Sequence, residues 1–316
     1  MPLIDLGSRG TCLRKDALVA FGRRRVRTAL SLGEAVSPWP NVLIDATRAT
    51  EPLTYLTAAW LAVGPDALMS GPSAAYLHGL TALPPTPVHL VVPYEHRKRT
   101  RDGIVIHNAG GLADDRDERQ GLPVLNVERV VVDLLCTAWP PKALAVVDEA
   151  LARLPESDRP AFRRHLRERL QERPDPRGTR IGTRLVDLAT GRAESPPESW
   201  LMWMVVDLGF PVPEANLPVR DVTGREMYRL DLGYDELRIA IEYNGYAAHA
   251  ERDEADAARL RDLERRGWIV IVVDVDDLHG PARLEKELYE AFLMRGVVLG
   301  ARTARALRPL PHRRTR

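Results

Sequence analysis

Two short apolar runs, residues 230–234 and 237–243, flank a polar turn, and each run contains one carboxylate. Side chains alternate along a strand, so Glu242 shares one face with Ala240, whereas the larger apolar residues share the other face. If the runs pair as a hairpin about the 236/237 peptide, Asp231 lies directly opposite Glu242, with Cβ atoms about 4.5 to 5.5 Å apart. Carboxylates at that spacing repel unless a hard divalent cation lies between them. The pattern therefore predicts either a Mg²⁺ site or a pair of solvated strand ends.

The pattern after this hairpin predicts a helix and then a buried strand. Residues 253–266 are charged, with apolar residues at helical spacing, and Gly267 stands at the C-cap position. Residues 268–273, WIVIVV, are continuously apolar, as a parallel strand covered on both faces requires. Strand, helix and strand in this order predict a crossover, which places residues 268–273 parallel to residues 237–243 in a mixed sheet.

The N-terminal pattern predicts two short helices and a β wing. Residues 14–20 and 23–32 have helical periodicity, Gly22 falls in the turn between them, and residues 33–44 contain proline and alternating apolar positions. Four arginines crowd the exposed first half of the second helix, namely Arg23, Arg24, Arg25 and Arg27. A basic recognition helix meets DNA in this way, and the alternative is a solvated basic helix of a purely structural unit.

The middle of the chain predicts helices and strands together with a second basic element. Residues 88–92 and 104–107 alternate as strands, and the loop between them has the densest basic run of the chain: Arg97, Lys98, Arg99 and Arg101. This loop is interpreted as a solvated hairpin tip or as a further phosphate contact, since phosphate contacts add along a groove. His78 and His107 are interpreted as core or strand-end histidines, because neither has a partner at ligand spacing.

Helices with apolar faces are predicted at residues 127–137 and 142–154, and a polar helix at residues 159–173. The stretch RPDPRGTR at 173–180 then predicts a flexible tail. The domain boundary is accordingly predicted between residues 174 and 193. The next helix spans residues 197–208 and carries Glu198 in its first turn, either as a partner of the helix dipole or as a member of a metal site. A final amphipathic helix and a basic tail complete the chain.

Composition restricts the classes of function without selecting one. The 316 residues have a net charge of +1, so any affinity for nucleic acid has to come from local basic clusters. The two cysteines have no zinc-type spacing and fit a reducing compartment. The N-terminus lacks a signal-peptide core and no apolar run reaches membrane-spanning length, which predicts a soluble, cytoplasmic protein with no membrane partner.

Four motifs in the last 125 residues or so carry a resemblance to a nuclease family. They are ESPPESWL at 194–201, LDLGY at 230–234, IEYNG at 241–245 and RLRDLERRGWIVI at 259–271. In this order they resemble the short domain related to very-short-patch-repair endonucleases, which belongs to the PD-(D/E)XK superfamily. The resemblance implies a restriction-endonuclease-like fold and cleavage of DNA with Mg²⁺ or Mn²⁺.

The same resemblance implies roles for individual residues. Glu198 corresponds to the helix carboxylate, Asp231 to the central metal ligand and Glu242 to the second ligand. His249 corresponds to a histidine that acts as general acid or phosphate contact. Asn244 stands where the superfamily has lysine and this subgroup usually has aspartate, and an amide coordinates or orients water but cannot serve as a general base.

The N-terminal and middle regions resemble a second family. The block SGPSAAYLHGL at 70–80 is similar to the SxxSAAxLHGL block of AbiEi-type antitoxins, and the predicted winged helix is similar to the N-terminus of the same antitoxins. This resemblance implies DNA binding, repression of the protein's own operon, and a toxin as partner protein.

These observations together predict a mixed α/β (α+β) protein. The predicted regions are a winged helix-turn-helix at 1–50, an antitoxin-like middle α/β region at 51–180, a PD-(D/E)XK endonuclease-like mixed sheet flanked by helices at 191–298, and the basic tail at 299–316. Two functions stay open. One is a Mg²⁺-dependent endonuclease delivered to DNA by the winged helix, and the other is a non-catalytic DNA-binding antitoxin or autorepressor with a degenerate nuclease fold.

Overall fold

A computed structural model describes residues 3–96, 98–244 and 250–299, with the backbone alone for residues 250–255. Arg97, His249 and the tail from residue 300 onward therefore lie outside the described residues. The chain forms two compact units, residues 1–134 and residues 135–316, and the predicted mixed α/β class is confirmed. Within the described ranges, no helix is both long enough and apolar enough to cross a membrane.

The first unit begins with a small antiparallel sheet wrapped by a bent helix. Its elements are β1 (Thr11–Leu13), α1 (Arg14–Ser31), β2 (Ala35–Val36) and β3 (Val42–Asp45), and the strand order is β1-β3-β2. Gly22 interrupts α1 with φ 77° and ψ 158°, a conformation that glycine adopts without steric strain. This break divides α1 into two helices at the predicted position. The two helices and the β2–β3 wing are the elements of a winged helix-turn-helix.

A compact apolar core holds these elements together. Val26 and Ala29 of the second helix are buried against Ala17 of the first helix and Leu43 of β3. Full burial of one aliphatic side chain of this size contributes about 1.5 to 3 kcal/mol. The arginines between these apolar positions point outward, as the 3.6-residue period requires.

The rest of the first unit is a five-stranded sheet with helices. The elements are a 3₁₀ turn (Ala46–Arg48), α2 (Pro52–Val63), β4 (Leu68–Met69), α3 (Gly71–Leu77), β5 (Val88–Pro93), β6 (Ile104–Ala109), β7 (Arg116–Arg119) and β8 (Leu122–Leu125), with strand order β6-β5-β4-β8-β7. β5 and β6 pair in parallel, so the interpretation of the intervening basic loop as a hairpin tip is wrong. A loop between adjacent parallel strands has to run back along the sheet before the second strand begins.

Five helices follow: α4 (Val127–Thr137), which crosses the boundary between the units, α5 (Pro140–Ala152), α6 (Arg159–Gln171), α7 (Thr179–Leu188) and α8 (Pro196–Asp207). Pro140 begins α5, because proline suits the first turn of a helix. The stretch 173–180, predicted as a flexible tail, is non-helical up to Gly178, and α7 begins at Thr179 inside the range in which the domain boundary is predicted. Gly178 caps α7 at φ 80°, and a Cβ there would lie 2.2 Å from the carbonyl oxygen of Cys136, so only glycine fits.

A four-stranded mixed sheet completes the second unit. Its elements are β9 (Glu214–Arg220), β10 (Glu226–Tyr234), β11 (Ile239–Tyr243), α9 (Ala250–Arg265), β12 (Ile269–Val273) and α10 (Ala282–Met294), with strand order β12-β11-β10-β9. β11 and β12 are parallel, with Ile239 opposite Ile269, and α9 is the crossover between them. The predicted arrangement of hairpin, helix and parallel strand is confirmed.

Candidate functional site

The hairpin register brings the two predicted carboxylates together. Leu232 pairs with Ile241 and Tyr234 with Ile239, and the same register continued by one residue sets Asp231 opposite Glu242. Asp231 Oδ2 accepts a hydrogen bond of 2.7 Å from the main-chain N–H of Tyr243. The register predicted from the sequence is therefore the observed one, and Asp231 is fixed against the strand that carries Glu242.

Glu242 is a buried acid with an internal cationic partner. Glu242 is only 8% exposed. Both terminal nitrogens of Arg259 donate to its carboxylate at 3.0 to 3.1 Å. Burial and the negative charge of Asp231 raise the pKa of Glu242 to about 7, although Arg259 opposes this rise. The structure thus places a guanidinium where a bound cation would otherwise balance the two carboxylates.

Arg259 itself is held in a defined position. Its Nη2 also donates to the carbonyl of Arg229 at 2.9 Å, and its guanidinium lies 5.9 Å from the ring centroid of Tyr228. Its positive charge acts on Asp231 too, opposing the rise that burial imposes on the pKa of that carboxyl. Arg259 is absent from the residues predicted for the site, because the pattern of α9 indicates its apolar positions and not which charged residue faces the sheet.

Glu198 lies close enough to interact with this pair, but its oxygens already have partners. Its Oε2 accepts the N–H of Glu194 at 2.8 Å, and its Oε1 accepts the hydroxyl of Ser195 at 2.7 Å. Ser195 is the N-cap of α8, so the acid acts at the beginning of its own helix. Burial raises the pKa of Glu198, and the negative charge of Asp231 adds to that rise. Glu198 is therefore both a capping group and an electrostatic neighbour of Asp231.

A buried aspartate positions the beginning of α8. Asp148 on α5 is 4% exposed, and its Oδ1 accepts the N–H groups of Thr190 and Gly191, both at 2.8 Å. Its Oδ2 accepts the hydroxyl of Ser199 at 2.7 Å, next to Glu198. Burial raises the pKa of Asp148 and these hydrogen bonds oppose the rise. Asp148 is absent from the residues predicted for the site, because it lies within an apolar helix whose pattern gives no sign of its distant partners.

The metal-site residues are only partly assembled. Asn244 is exposed, and its main-chain N–H extends the β11–β12 pairing by donating to Val273 at 2.8 Å. His249 falls outside the described residues. Among the residues that are described, no three histidine, cysteine or acidic side chains are grouped as metal ligands. The donor chemistry of Asp231 and Glu242 nevertheless fits a hard divalent cation, because both are carboxylates and burial together with mutual repulsion raises the pKa of Glu242 in the absence of an ion.

The predicted DNA-contact residues lie in the first unit. Arg23, Arg24, Arg25 and Arg27 are all exposed on the second helical segment of α1. In the basic loop, Lys98 and Arg99 are exposed, whereas Arg101 is half-buried and donates to the carbonyl of Ala62 at 3.1 Å. Arg101 thus stabilises the loop, and the α1 arginines are the more accessible cluster.

Comparison with known proteins supports one of the two resemblances. Residues 67–201 match the family model described as AbiEi antitoxin C-terminal domain. Two proteins described as uncharacterized, from two strains of Mycobacterium tuberculosis, are each 29% identical to this chain over 265 residues. The alignments cover 83% of this chain and 94% of each relative. The antitoxin-like character of the middle region is confirmed, and the nuclease-like character of the C-terminal region stays a prediction.

Proposed function

We propose that this protein is a DNA-binding regulator of the antitoxin type, which binds duplex DNA through its winged helix-turn-helix. The observation that carries this proposal is the cluster of four exposed arginines on the second helical segment of α1. In a helix-turn-helix this segment enters the major groove or follows its phosphates. The match of residues 67–201 to an antitoxin family supports the same function independently.

The physical basis of the binding is charge neutralisation at the phosphates. Each arginine that contacts a phosphate releases condensed counterions, so the logarithm of the affinity falls linearly with the logarithm of the salt concentration. Because the net charge of the chain is only +1, the salt dependence has to arise from a local cluster.

The test measures the affinity for duplex DNA against salt for two variants of equal charge. One variant changes Arg23, Arg24, Arg25 and Arg27 to Ala. The control variant changes four exposed arginines of the second unit to Ala, namely Arg164, Arg177, Arg180 and Arg192. The slope should become shallower by up to about 0.9 per lost phosphate contact in the first variant alone. Equal slopes in the wild type and the first variant would refute the proposal.

Repression of its own operon and a toxin partner belong to the same proposal, because the matched family is one of antitoxins. Expression of a reporter fused to the upstream DNA should be repressed by the wild type and should not be repressed by the four-arginine variant. A toxin encoded beside the gene should lose its toxicity when this chain is co-expressed. Persistent toxicity would restrict the function to DNA binding.

A second candidate function, endonucleolytic cleavage of DNA, rests on the facing carboxylates. Asp231 and Glu242 would hold Mg²⁺ or Mn²⁺, and Glu198 lies within electrostatic reach of Asp231. When bound, such an ion lowers the pKa of a water molecule and stabilises the charge that develops on the phosphate. Asn244 would orient water or coordinate through its oxygen, and His249 would serve as general acid or phosphate contact.

Arg259 already contributes a positive charge beside the carboxylates, so the arrangement of the site is compatible with either function. In the metal-free protein it neutralises Glu242, so the fold has no need of a cation at this position. A plasmid-nicking assay with Mg²⁺ and with Mn²⁺, run beside Asp231→Ala, decides between the candidates. Nicking by the wild type that is lost in the variant supports the enzyme. If neither protein nicks the plasmid, or if both nick it equally, the endonuclease function is refuted and only the regulator function remains.

A further inference from the structure

Two histidines that are 18 residues apart in sequence meet on the sheet of the first unit. Nδ1 of His89 lies 3.0 Å from Nε2 of His107, and the rings stack with centroids 5.2 Å apart and planes 23° apart. His89 pairs with Val105 across the parallel β5 and β6, so His107 is its diagonal neighbour on the same face. His107, predicted as a core or strand-end histidine, lies within β6, and its partner His89 comes from the neighbouring strand rather than from a nearby position in the sequence.

We propose that His89 and His107 form a two-histidine binding site for a first-row transition-metal ion, with Zn²⁺ as the natural probe. Zn²⁺ bonds imidazole nitrogen at about 2.0 to 2.1 Å, and tetrahedral geometry then separates two such nitrogens by about 3.3 Å. To bind Zn²⁺, the two nitrogens therefore need to move apart by only about 0.3 Å. The exposed ring of His107 can provide this opening by rotation.

The protonation state suits a metal ligand. Burial, reinforced by the proximity of His107, lowers the pKa of His89 to about 4. Partial desolvation of the ring also lowers the pKa of His107, although the residue as a whole is exposed. Both rings are therefore neutral at pH 7, with a lone pair available on one nitrogen each. In the metal-free state, one of the two contacting nitrogens carries a proton and donates a hydrogen bond to the other nitrogen. Metal binding moves that proton to the outer nitrogen of the same ring, with no net proton release.

The surroundings also favour a cation and allow it to enter. The carboxylate of Asp133 on α4 acts on His107 through its negative charge, and its own hydrogen bond to Arg129 Nε of 2.8 Å fixes it. On the other side, Gly71 leaves room beside His89, since a Cβ there would lie 3.3 Å from Nδ1. Within the described part of the chain, His89 and His107 are the two proposed ligands, so water would fill the other positions. Imidazole donors select Zn²⁺, Ni²⁺ or Cu²⁺ over Mg²⁺, which separates this site chemically from the carboxylates of the second unit.

The experiment titrates Zn²⁺ into the untagged full chain, with binding followed by calorimetry and by the Cε1–H resonances of the histidines. We compare the wild type with His89→Gln and His107→Gln, and use His96→Gln as control. The side chain of His96 is 40% exposed in the same unit, and its ring pairs with Asp66 at 3.4 Å. About one equivalent should bind to the wild type and to the control, with an affinity lowered about tenfold or more in the two variants. The resonances of His89 and His107 should shift first.

Equal Zn²⁺ affinity in the wild type and His107→Gln would overturn the proposal. The absence of binding to the wild type at a Zn²⁺ concentration on the order of 100 micromolar would also overturn it. His107→Gln is decisive even if His89→Gln fails to fold, because His107 is exposed and is not one of the buried core residues. Mg²⁺ at millimolar concentration should leave the histidine resonances unchanged. Shifts of the same size with Mg²⁺ would contradict the assignment to imidazole ligands.

Discussion

Arg259 on α9 and the buried Glu242 on β11 form a partly buried ion pair, in which both terminal guanidinium nitrogens donate to the carboxylate at 3.0 to 3.1 Å. Removal of one partner from such a pair leaves the other charge desolvated, which is more costly than losing the pair as a whole. The pair therefore links the stability of the C-terminal sheet to the charge of the carboxylate site.

We expect Arg259→Met to destabilise the protein by about 2 to 4 kcal/mol at pH 8. The loss should shrink below pH 7, because Glu242 is then protonated and needs no cationic partner. Urea denaturation at both pH values measures the two free energies. The double variant Arg259→Met, Glu242→Gln should recover part of the loss, and strictly additive effects in this cycle would contradict the coupling.

The pH dependence of stability follows from Glu242 itself. Its pKa is about 7 in the folded protein against an ordinary value of 4.5, so between these values the folded state binds more protons than the unfolded state. The free energy of unfolding should therefore fall as the pH rises from about 4.5 to about 7, by about 2 to 3 kcal/mol from this group. Glu242→Gln removes the titrating group. In EDTA, the variant should gain stability relative to the wild type over this interval, and a constant difference would contradict the assignment.

The metal hypothesis predicts opposite effects of one substitution with and without the ion. Asp231→Asn relieves repulsion in the metal-free protein, so its stability should be unchanged or slightly higher. Mg²⁺ should raise the Tm of the wild type and raise it less in the variant, because a ligand that binds only the native state stabilises it according to occupancy. Thermal denaturation with and without millimolar Mg²⁺ or Mn²⁺ measures both effects.

Asn244→Asp tests the same site from the other direction. The substitution adds the acidic group that the related nuclease subgroup usually carries, at an exposed position beyond the end of β11. Metal affinity should rise, and the metal-dependent rise in Tm should exceed that of the wild type. If neither ion shifts the Tm of the wild type or of Asn244→Asp, the carboxylate site is vestigial.

The buried Asp148 should be important for the helical part of the second unit. Asp148→Ala leaves the N–H groups of Thr190 and Gly191 without their acceptor and should cost about 3 kcal/mol or more. Asp148→Asn keeps an oxygen for those two donors and should cost about 1 to 2 kcal/mol. Glu156→Gln on the exposed loop before α6 is the control. Chemical denaturation that ranks all three variants equal would show that the buried carboxylate has no such role.

Local periodicity in the sequence determined the elements of both predicted functional regions. Alternation along residues 237–243 restricted the β10–β11 register to pairings that keep Asp231 and Glu242 on one face, because a shift by one residue would turn every apolar side chain to the wrong face. The four-residue turn 235–238 of the structure then sets the two carboxylates directly opposite each other. The helical period and Gly22 similarly determined the helix-turn-helix, since the buried Val26 and Ala29 leave the neighbouring arginines outward. These features depend on neighbours within a few residues, so the sequence contains them directly.

Only the tertiary structure decided which distant side chains meet. Arg259 reaches Glu242 through the packing of α9 on the sheet, and His107 reaches His89 because β5 and β6 are parallel rather than a hairpin. The beginning of α7 also depends on a distant contact. Gly178 is required there because it packs against the backbone of Cys136, 42 residues earlier in the chain. Sheet order and helix packing arise from the burial of the whole apolar surface, and no local pattern specifies the partner of a single polar group.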